Sequence, residues 1–200
     1  MLIWLYSGVE NPFILYLKSK ISLTADEAEL IAASMNEKQL KKGEVLQERD
    51  RVSKYMYFVA SGAVRSFLMK DHNEVTWNFY FDNAIATDFQ SYLMESPSPL
   101  TFVAIDDTTI ISISKMAAED LYRKKNTLVK VGNLLAENAF LDMRKRVESF
   151  LLLTPEERYL SLMENNRELV MRLPNKDIAT YLGITPQSLS RMKQRVFKKK

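Results

Sequence analysis

The sequence predicts an α+β protein: an antiparallel β-roll of the jelly-roll type with flanking helices, then a long helix and a final group of short helices. Three observations predict this class. Apolar residues alternate in short runs between residues 40 and 113, with polar turns between the runs. From residue 126 to about 153 they recur every three or four residues instead. Beyond Thr154, further helix-start signals and a glycine divide the chain into shorter helices.

Two helices are predicted before the roll. Residues 12–20 begin with a proline, which suits a first helical turn, and carry several apolar side chains. Thr24 and Glu27 have the spacing of a capping box, so a second helix should begin there. This helix is expected to end near Lys38.

Turn residues divide the predicted roll into strands. Ser61-Gly62 and the polar run 70–74 separate three β-rich segments, and Asp106-Asp107 should join the last two segments as a hairpin. Ser114 is the expected N-cap of a short helix that follows the roll. The predicted strands are residues 40–46 with an internal turn, 55–60, 63–69, 75–81, 101–105 and 108–113.

The longest helical pattern has a narrow apolar seam that contains an asparagine, Asn138. Two sets of residues step along it by three and four, and both pass through this asparagine. Packing of this helix on its own roll would explain such a seam. An asparagine within the seam instead favours association with the same helix of a second copy. The predicted dimer interface is Leu128, Val131, Leu134, Leu135, Asn138 and Leu141.

The last segment predicts a helix-turn-helix. Thr154 is an N-cap for a helix to about Asn166, and residues 169–173 are interpreted as a short strand. A first short helix then ends at Gly183, where a glycine tolerates positive φ. Thr185 is the expected N-cap of the second helix, and Pro186 suits its first position. The apolar residues of the pair are Ile178, Ala179, Leu182, Leu189, Met192 and Val196.

The second helix of the pair also has a polar face. Gln187 and Arg191 are one turn apart, and these side-chain types can form two hydrogen bonds each with adenine and guanine in a major groove. Basic residues further along can bind phosphates. A solvated helix pair packed on the body is the alternative. The predicted DNA-binding residues are Thr185, Gln187, Ser188, Ser190, Arg191, Lys193, Gln194 and Arg195.

Charge is distributed unevenly along the chain. Residues 171–200 contain eight basic residues and one acid, Asp177, which gives +7, so the total of +3 leaves −4 for residues 1–170. A basic end on a mildly acidic body indicates a polyanionic partner at that end. A solubilising tail would explain the final three lysines. It would not explain the three basic residues that lie within the helical pattern.

Composition argues against an enzyme. The chain has no cysteine and one histidine, His72, so it cannot supply thiol chemistry or a histidine-rich metal site of the kind that jelly-roll enzymes use. A glycine-rich phosphate loop and a nucleophile elbow are also missing from the sequence. We therefore expect no metal and no cofactor. Residues 1–8 are apolar but lack the features of a signal peptide, and we interpret them as a packing arm or an upstream extension of a cytoplasmic protein.

Several segments of the sequence resemble a known family: residues 42–46 and 57–65 in the roll, the long helix, residues 156–160 and the helix-turn-helix. They resemble the Crp/Fnr transcription regulators, and residues 156–160 and the helix-turn-helix resemble members from the Bacteroidetes group. The resemblance implies a homodimeric, sequence-specific DNA-binding protein with a cyclic-nucleotide-binding-like roll and RNA polymerase as a further partner. It also implies that Pro186, Gln187 and Arg191 face base edges, and because Pro186 replaces a polar residue we give more weight to the other two.

The chain departs from this family where nucleotide-binding members hold phosphate. Thr87 or Asp88 stands near the position of their glutamate, and Pro99-Leu100 near that of their arginine and serine. No Arg or Lys occurs between Lys70 and Lys115, so a cyclic phosphate would lack a cation and a response to cAMP is not expected. An aromatic pocket for another small molecule is the alternative function, although a filled core is favoured. Its predicted residues are Phe79, Phe81, Thr87, Asp88 and Phe89.

These observations together predict three parts. Residues 1–125 form the sensor-type β-roll, residues 126–153 form the dimerisation helix, and residues 154–200 form the DNA-binding part. The expected partners are double-stranded DNA and a second copy of the chain. No membrane association is expected.

Overall fold

The computed structural model describes residues 10–198 and shows an α+β fold built on antiparallel sheets. Residues 1–8, interpreted above as an arm or an extension, lie outside the described residues. Helices α1 (Pro12–Lys18) and α2 (Ala25–Ala33) precede the sheets. The predicted capping box is confirmed, with Thr24 and Glu27 each accepting from the other's backbone amide. Helix α2 ends before Lys38 because residues 36–40 already pair as a strand.

The strands form three antiparallel groups. Their orders are β1-β9-β4, β2-β8-β5-β6 and β3-β7, so β6 is an edge strand of the four-stranded sheet. Helix α3 (Phe89–Met94) lies between β6 and β7 in sequence. The strand bounds are β1 Asn36–Leu40, β2 Val45–Gln47, β3 Arg51–Val52, β4 Tyr55–Ser61, β5 Val64–Lys70, β6 Asn73–Tyr80, β7 Pro97–Ser98, β8 Thr101–Ala104 and β9 Thr108–Ser114.

The hairpin predicted around Asp106-Asp107 is wrong. Strand β8 pairs with β2 and β5, whereas β9 pairs with β1 and β4, so the two consecutive strands belong to different sheets. The acidic pair is therefore a connection from one sheet to the other. Asp107 accepts hydrogen bonds from the Lys41 ammonium at 2.8 Å and the Lys42 amide at 3.1 Å, which ties this connection to the β1–β2 turn.

The core of the roll lies between the three-stranded and four-stranded sheets. Each sheet contributes apolar side chains to one buried cluster, and the largest fully buried member is Phe102. Tyr80 lies 5.9 Å from the Phe102 ring between centroids. The other buried members are Leu40, Val59, Val64, Ala86, Leu100, Ala104 and Ile110.

Helices make up the rest of the chain. Helix α6 extends to Arg172 and Leu173 is its C-cap, so the short strand predicted at residues 169–173 is wrong. Val170 and Leu173 are three residues apart and share one buried cluster with Ile178. The periodicity of a short apolar run does not distinguish a helix from a strand. Within the described residues, none of the helices has the length and apolarity needed to cross a bilayer. The bounds are α4 Lys115–Lys124, α5 Val129–Leu152, α6 Pro155–Arg172, α7 Asn175–Leu182 and α8 Pro186–Lys198.

Helix α5 packs on the body through its first half. Leu128, Val131 and Leu135 are buried in a cluster that α1, α2 and α4 share with the outer side of the three-stranded sheet. Asn138 donates to the Tyr16 hydroxyl at 3.0 Å, so this asparagine also faces its own chain. The second half of α5 extends beyond this contact and exposes several large apolar side chains.

Candidate nucleic-acid interface

Helices α7 and α8 are joined by a turn with two specific backbone hydrogen bonds. The Ile184 amide donates to the Ala179 carbonyl at 3.0 Å and the Gly183 amide donates to the Thr180 carbonyl at 3.2 Å, which is the Schellman arrangement. Gly183 has φ 71°, where a side chain would be strained. A Cβ atom at this position would also come within 3.2 Å of the Phe150 ring. The glycine therefore fixes the angle at which α8 leaves α7.

Helix α8 is amphipathic, with one face buried against α6 and α7. The predicted N-cap is confirmed, since Thr185 Oγ1 accepts from the Ser188 amide at 3.2 Å. Leu189 is fully buried and Met192 nearly so. They belong to one apolar cluster with Tyr159, Ile178 and other residues of α6 and α7.

The opposite face of α8 carries exposed polar side chains. Gln187, Arg191 and Gln194 lie at steps of four and three residues, and Ser190 lies beside them; all four are exposed. We call these four residues the polar stripe. Gln and Arg are side-chain types that form bidentate hydrogen bonds to base edges, and an α-helix has the width of a major groove. The stripe can therefore contact bases without any change in the buried face.

Three further predicted DNA-binding residues have partners within the chain. Lys193 donates to Asn175 Oδ1 at 2.7 Å and lies over the Tyr159 ring, and burial lowers the pKa of its ammonium. Arg195 lies 3.9 Å from Glu156 at the start of α6. The Ser188 hydroxyl lies 3.0 Å from Thr185 Oγ1 as part of the helix cap. These residues flank the stripe and would have to exchange partners to bind phosphate.

Two arginines hold the carboxyl end of α7. Arg158 donates to the Leu182 carbonyl at 2.7 Å and to the Leu153 carbonyl at 2.6 Å, so it joins the ends of α7 and α5. Arg146 donates to the Tyr181 carbonyl, and its guanidinium stacks 3.5 Å from the centre of the Tyr181 ring. Cations suit this end of a helix because its last carbonyls are unpaired.

The side of α7 contacts the roll through a second set of residues. Arg65 on β5 is 4% exposed, and its Nη1 lies 2.7 Å from Glu74 and 3.3 Å from Asp177. Thr76 on β6 donates its amide to Thr180 Oγ1 at 3.1 Å. Burial raises the pKa of the Asp177 carboxyl, and the charge of Arg65 opposes that shift.

Sequence reasoning missed these contacts with α7. Asp177 is the one acid among the basic residues of the last thirty, and a lone acid in such a stretch is a signal for a specific cation partner. The partner itself, Arg65, is 112 positions away in the chain. No local pattern connects two such distant residues.

Helix α5 has an exposed apolar stripe on the side opposite to its buried residues. Phe140 is 67% exposed, Met143 42% and Val147 50%, and they follow one another at steps of three and four. Of the predicted dimer seam, Leu128, Val131 and Leu135 are instead buried within their own chain, Leu134 is partly buried there, and Leu141 is exposed. The same spacing of three and four residues continues from Phe140 toward the start of α5. The members of the exposed stripe are Val129, Asn133, Ala136, Phe140, Met143 and Val147.

The residues predicted to line a ligand pocket lie in three different places. Phe79 and Phe81 face the helices rather than the interior of the roll, and Phe79 lies 5.1 Å from the Tyr181 ring. The Thr87 hydroxyl accepts from the Tyr57 amide at 3.1 Å. Asp88 is the N-cap of α3 and also accepts from the Ser98 hydroxyl at 2.6 Å. Phe89 packs against a further cluster, on the outer side of the three-stranded sheet.

Comparisons with known proteins agree with this architecture. Residues 37–125, from β1 to α4, match the family described as the cyclic nucleotide-binding domain. No curated protein sequence matches the chain at a significant level.

Solved structures share the fold over most of the chain. FixK2 from Bradyrhizobium japonicum matches with a TM-score of 0.68 at 21% identity, over 82% of this chain and 85% of that one. A protein described as a Crp/Fnr-family transcriptional regulator from Eubacterium rectale matches with 0.68 at 20%, over 94% and 88%. A variant of CooA from Carboxydothermus hydrogenoformans matches with 0.64 at 15%, over 92% and 84%. At these identities the likeness is one of fold.

Proposed function

We propose that this protein is a homodimeric, sequence-specific DNA-binding transcription regulator of the Crp/Fnr type. The observation that carries the proposal is the polar stripe of Gln187, Ser190, Arg191 and Gln194, which is exposed on a helix whose other face is buried and whose start is fixed by a cap. The charge of +7 over residues 171–200 supports a polyanionic partner. The fold shared with proteins described as regulators supports the same function.

In this proposal, α7 and α8 form a helix-turn-helix within a DNA-binding part that spans residues 154–200. Helix α8 lies in the major groove, where Gln187 and Arg191 contact base edges. Lys193 and Arg195 contact phosphates after exchanging their present partners, Asn175 and Glu156. Residues 1–125 form the roll, and RNA polymerase is a proposed further partner.

The proposed dimer uses the exposed stripe of α5 in residues 126–153. Phe140, Met143 and Val147 would pack against the same residues of a second copy, with Asn133 as a polar position that fixes the register. A two-fold axis along α5 would present two copies of α8 to major grooves about 34 Å apart, so the DNA site should be near-palindromic.

A response to cAMP is not part of the proposal. The space between the sheets is filled by Tyr80, Phe102 and their neighbours. The one arginine of the inner strands, Arg65, has its side chain on the outer face of its sheet, where it contacts Asp177. Among the residues that the structure describes, the space between the two sheets therefore offers a cyclic phosphate neither room nor a cationic side chain.

Substitution of Arg191 by alanine tests the proposed contact with a base. We expect Arg191→Ala to cost about 1–3 kcal/mol of binding free energy and to relax the preference at one position of each half-site, because one bidentate contact is lost. Binding to the selected site and to its single-base variants, measured by fluorescence anisotropy, gives both quantities.

The control removes the same charge from another helix. Arg123 is exposed on α4, where it pairs with Asp120, and Arg123→Ala should leave affinity and base preference unchanged. Equal losses in the two variants would indicate a general charge effect. An Arg191→Ala protein with unchanged affinity and preference would contradict the assignment.

A further inference from the structure

Helix α7 covers the edge of the four-stranded sheet. Strand β6 is the last strand of that sheet, so its outward backbone groups pair with no other strand within residues 10–198. The amide of Thr76 donates to Thr180 Oγ1 of α7 at 3.1 Å, and the two threonine hydroxyls lie 2.9 Å apart. A side chain of α7 thus takes the place of a neighbouring strand at this position.

A buried arginine connects the same helix to the face of the sheet. Arg65 Nε donates to Thr76 Oγ1 at 2.9 Å, while Nη1 lies within reach of Glu74 and Asp177. The guanidinium also lies 4.6 Å from the centre of the Phe67 ring. Arg65, Glu74, Thr76, Asp177 and Thr180 are called the docking cluster below. Each of these contacts depends on direction, so α7 cannot slide or turn on the sheet without breaking several of them.

Apolar contacts surround the docking cluster. The rings of Phe79 on β6 and Tyr181 on α7 lie 5.1 Å apart. Ala63 and Phe81 of the roll share one buried cluster with Ile178 and other residues of the helices. Apolar burial holds α7 against the roll, and it tolerates small rotations. The polar docking cluster is what selects one orientation.

Docking leaves the polar stripe of α8 accessible. Asp177, Thr180 and Tyr181 lie on the side of α7 that faces the roll, whereas Arg191 and Gln194 are exposed on α8. We propose that Arg65, Asp177 and Thr180 are positioning residues that fix the angle of α8 on the roll and thereby set the spacing of the two half-sites that a dimer accepts. This inference rests on the proposed DNA-binding function and deepens it.

The angle of α8 affects the accepted spacing because a change in the distance between half-sites also rotates one half-site around the duplex relative to the other. Inserting one base pair moves a half-site by about 3.4 Å and turns it by about 35° around the duplex. A helix pair held at one angle cannot follow that turn. A helix pair held only by apolar contacts can follow it in part.

The test compares two substitutions of one residue. Thr180→Val keeps the shape of the side chain and removes the hydroxyl, while Thr180→Ser keeps the hydroxyl. We expect the wild type and Thr180→Ser to lose about tenfold in affinity when one base pair is inserted between half-sites, and Thr180→Val to lose about threefold or less. Thr87→Val is the matched control, because the Thr87 hydroxyl also accepts from a backbone amide, that of Tyr57 at 3.1 Å, but within the roll.

A second readout measures the angle without DNA. The chain has no cysteine, so Glu48→Cys on the roll and Gln194→Cys on α8 can be spin-labelled specifically. The label–label distance distribution should be narrow in the wild-type and Thr180→Ser backgrounds and at least twice as broad with Thr180→Val. A substitution that lowers stability but leaves α7 docked on the roll would not broaden this distance distribution.

The outcomes separate the two proposals. Equal spacing penalties and equal distance distributions in Thr180→Val and wild type would overturn the positioning role while leaving DNA binding intact. A wild-type protein that binds no duplex would overturn the proposed function, and the distance measurement would then still test the docking cluster. The proposal is supported if Thr180→Val, and none of the other proteins, both tolerates the inserted base pair better and has a broader label–label distance distribution.

Discussion

At the scale of single residues, Glu27 shows how one carboxylate can connect two helices. Its side chain accepts from the Thr127 hydroxyl at 2.6 Å and from the Thr24 amide at 3.0 Å, and Lys130 Nζ lies 3.2 Å away. Glu27 therefore closes the cap of α2 and also holds the start of α5. These hydrogen bonds, with that of Thr127 the strongest, lower the pKa of Glu27 from 4.5 to about 2.

The lowered pKa predicts how stability depends on pH. A carboxyl group with a depressed folded-state pKa stabilises the fold above its unfolded pKa and loses that contribution as pH falls through the folded pKa. The free energy of unfolding of the wild type should therefore exceed that of Glu27→Gln at pH 7, and the difference should shrink between pH 4.5 and about 2. Urea unfolding of both proteins across this range measures it.

Glu29 provides the control for this titration. It lies on the exposed side of the same helix, so Glu29→Gln changes the net charge equally without removing the cap. If the wild type and Glu27→Gln keep a constant difference from pH 7 down to 2, the carboxylate does not hold the two helices as described.

At the scale of elements, helix α5 has two apolar sides with different roles. Leu128, Val131 and Leu135 pack on the body, and Phe140, Met143 and Val147 are exposed on the other side. A 24-residue helix that leaves such large apolar side chains in water gains by covering them. This is the reason for assigning the dimer contact to the exposed side.

A charge in the exposed stripe should therefore prevent dimer formation. Val147→Glu places a carboxylate where two copies would bury it, and we expect a dissociation constant at least about a hundredfold higher than that of the wild type. Sedimentation velocity measures the change. Lys145→Glu is the control, since Lys145 is exposed elsewhere on the same helix and its substitution should leave the dimer intact. Monomeric wild-type protein, or a Val147→Glu protein that still dimerises fully, would contradict the assignment.

The elements differ in how well the sequence predicted them. The capping box at Thr24 and the N-caps at Thr154 and Thr185 were predictable because each depends on residues within four positions. The pairing of β8 with β2 and β5 was not predictable, because strand order depends on contacts between distant parts of the chain. Periodicity likewise identified α5 as a helix but could not tell which of its two apolar stripes faces its own roll.

The same limit applies to the candidate site. The sequence indicated the polar stripe because Gln187 and Arg191 are close together in a helical pattern. It could not indicate that Lys193 is bonded to Asn175, nor that Arg65 docks α7, since both depend on how helices and sheet pack. Local chemistry was therefore predictable, and the orientation of the site was not.

At the scale of the whole molecule, one chain combines a filled roll, a projecting helix and a basic helix pair. The roll supplies an edge strand on which α7 docks, and α5 presents a stripe that a second copy can cover. The net charge of −4 on residues 1–170 against +7 on the rest favours approach to DNA by the helix pair. Under the proposed function, these parts act together when two copies bind one duplex.

Selection of bound sequences from a random pool of duplex DNA tests this claim most directly. We expect an enriched motif with two-fold symmetry and half-site centres about 10 base pairs apart. Such a motif would establish DNA binding, dimeric action and the spacing together. No enriched motif at low ionic strength, or a single motif without symmetry, would contradict the account.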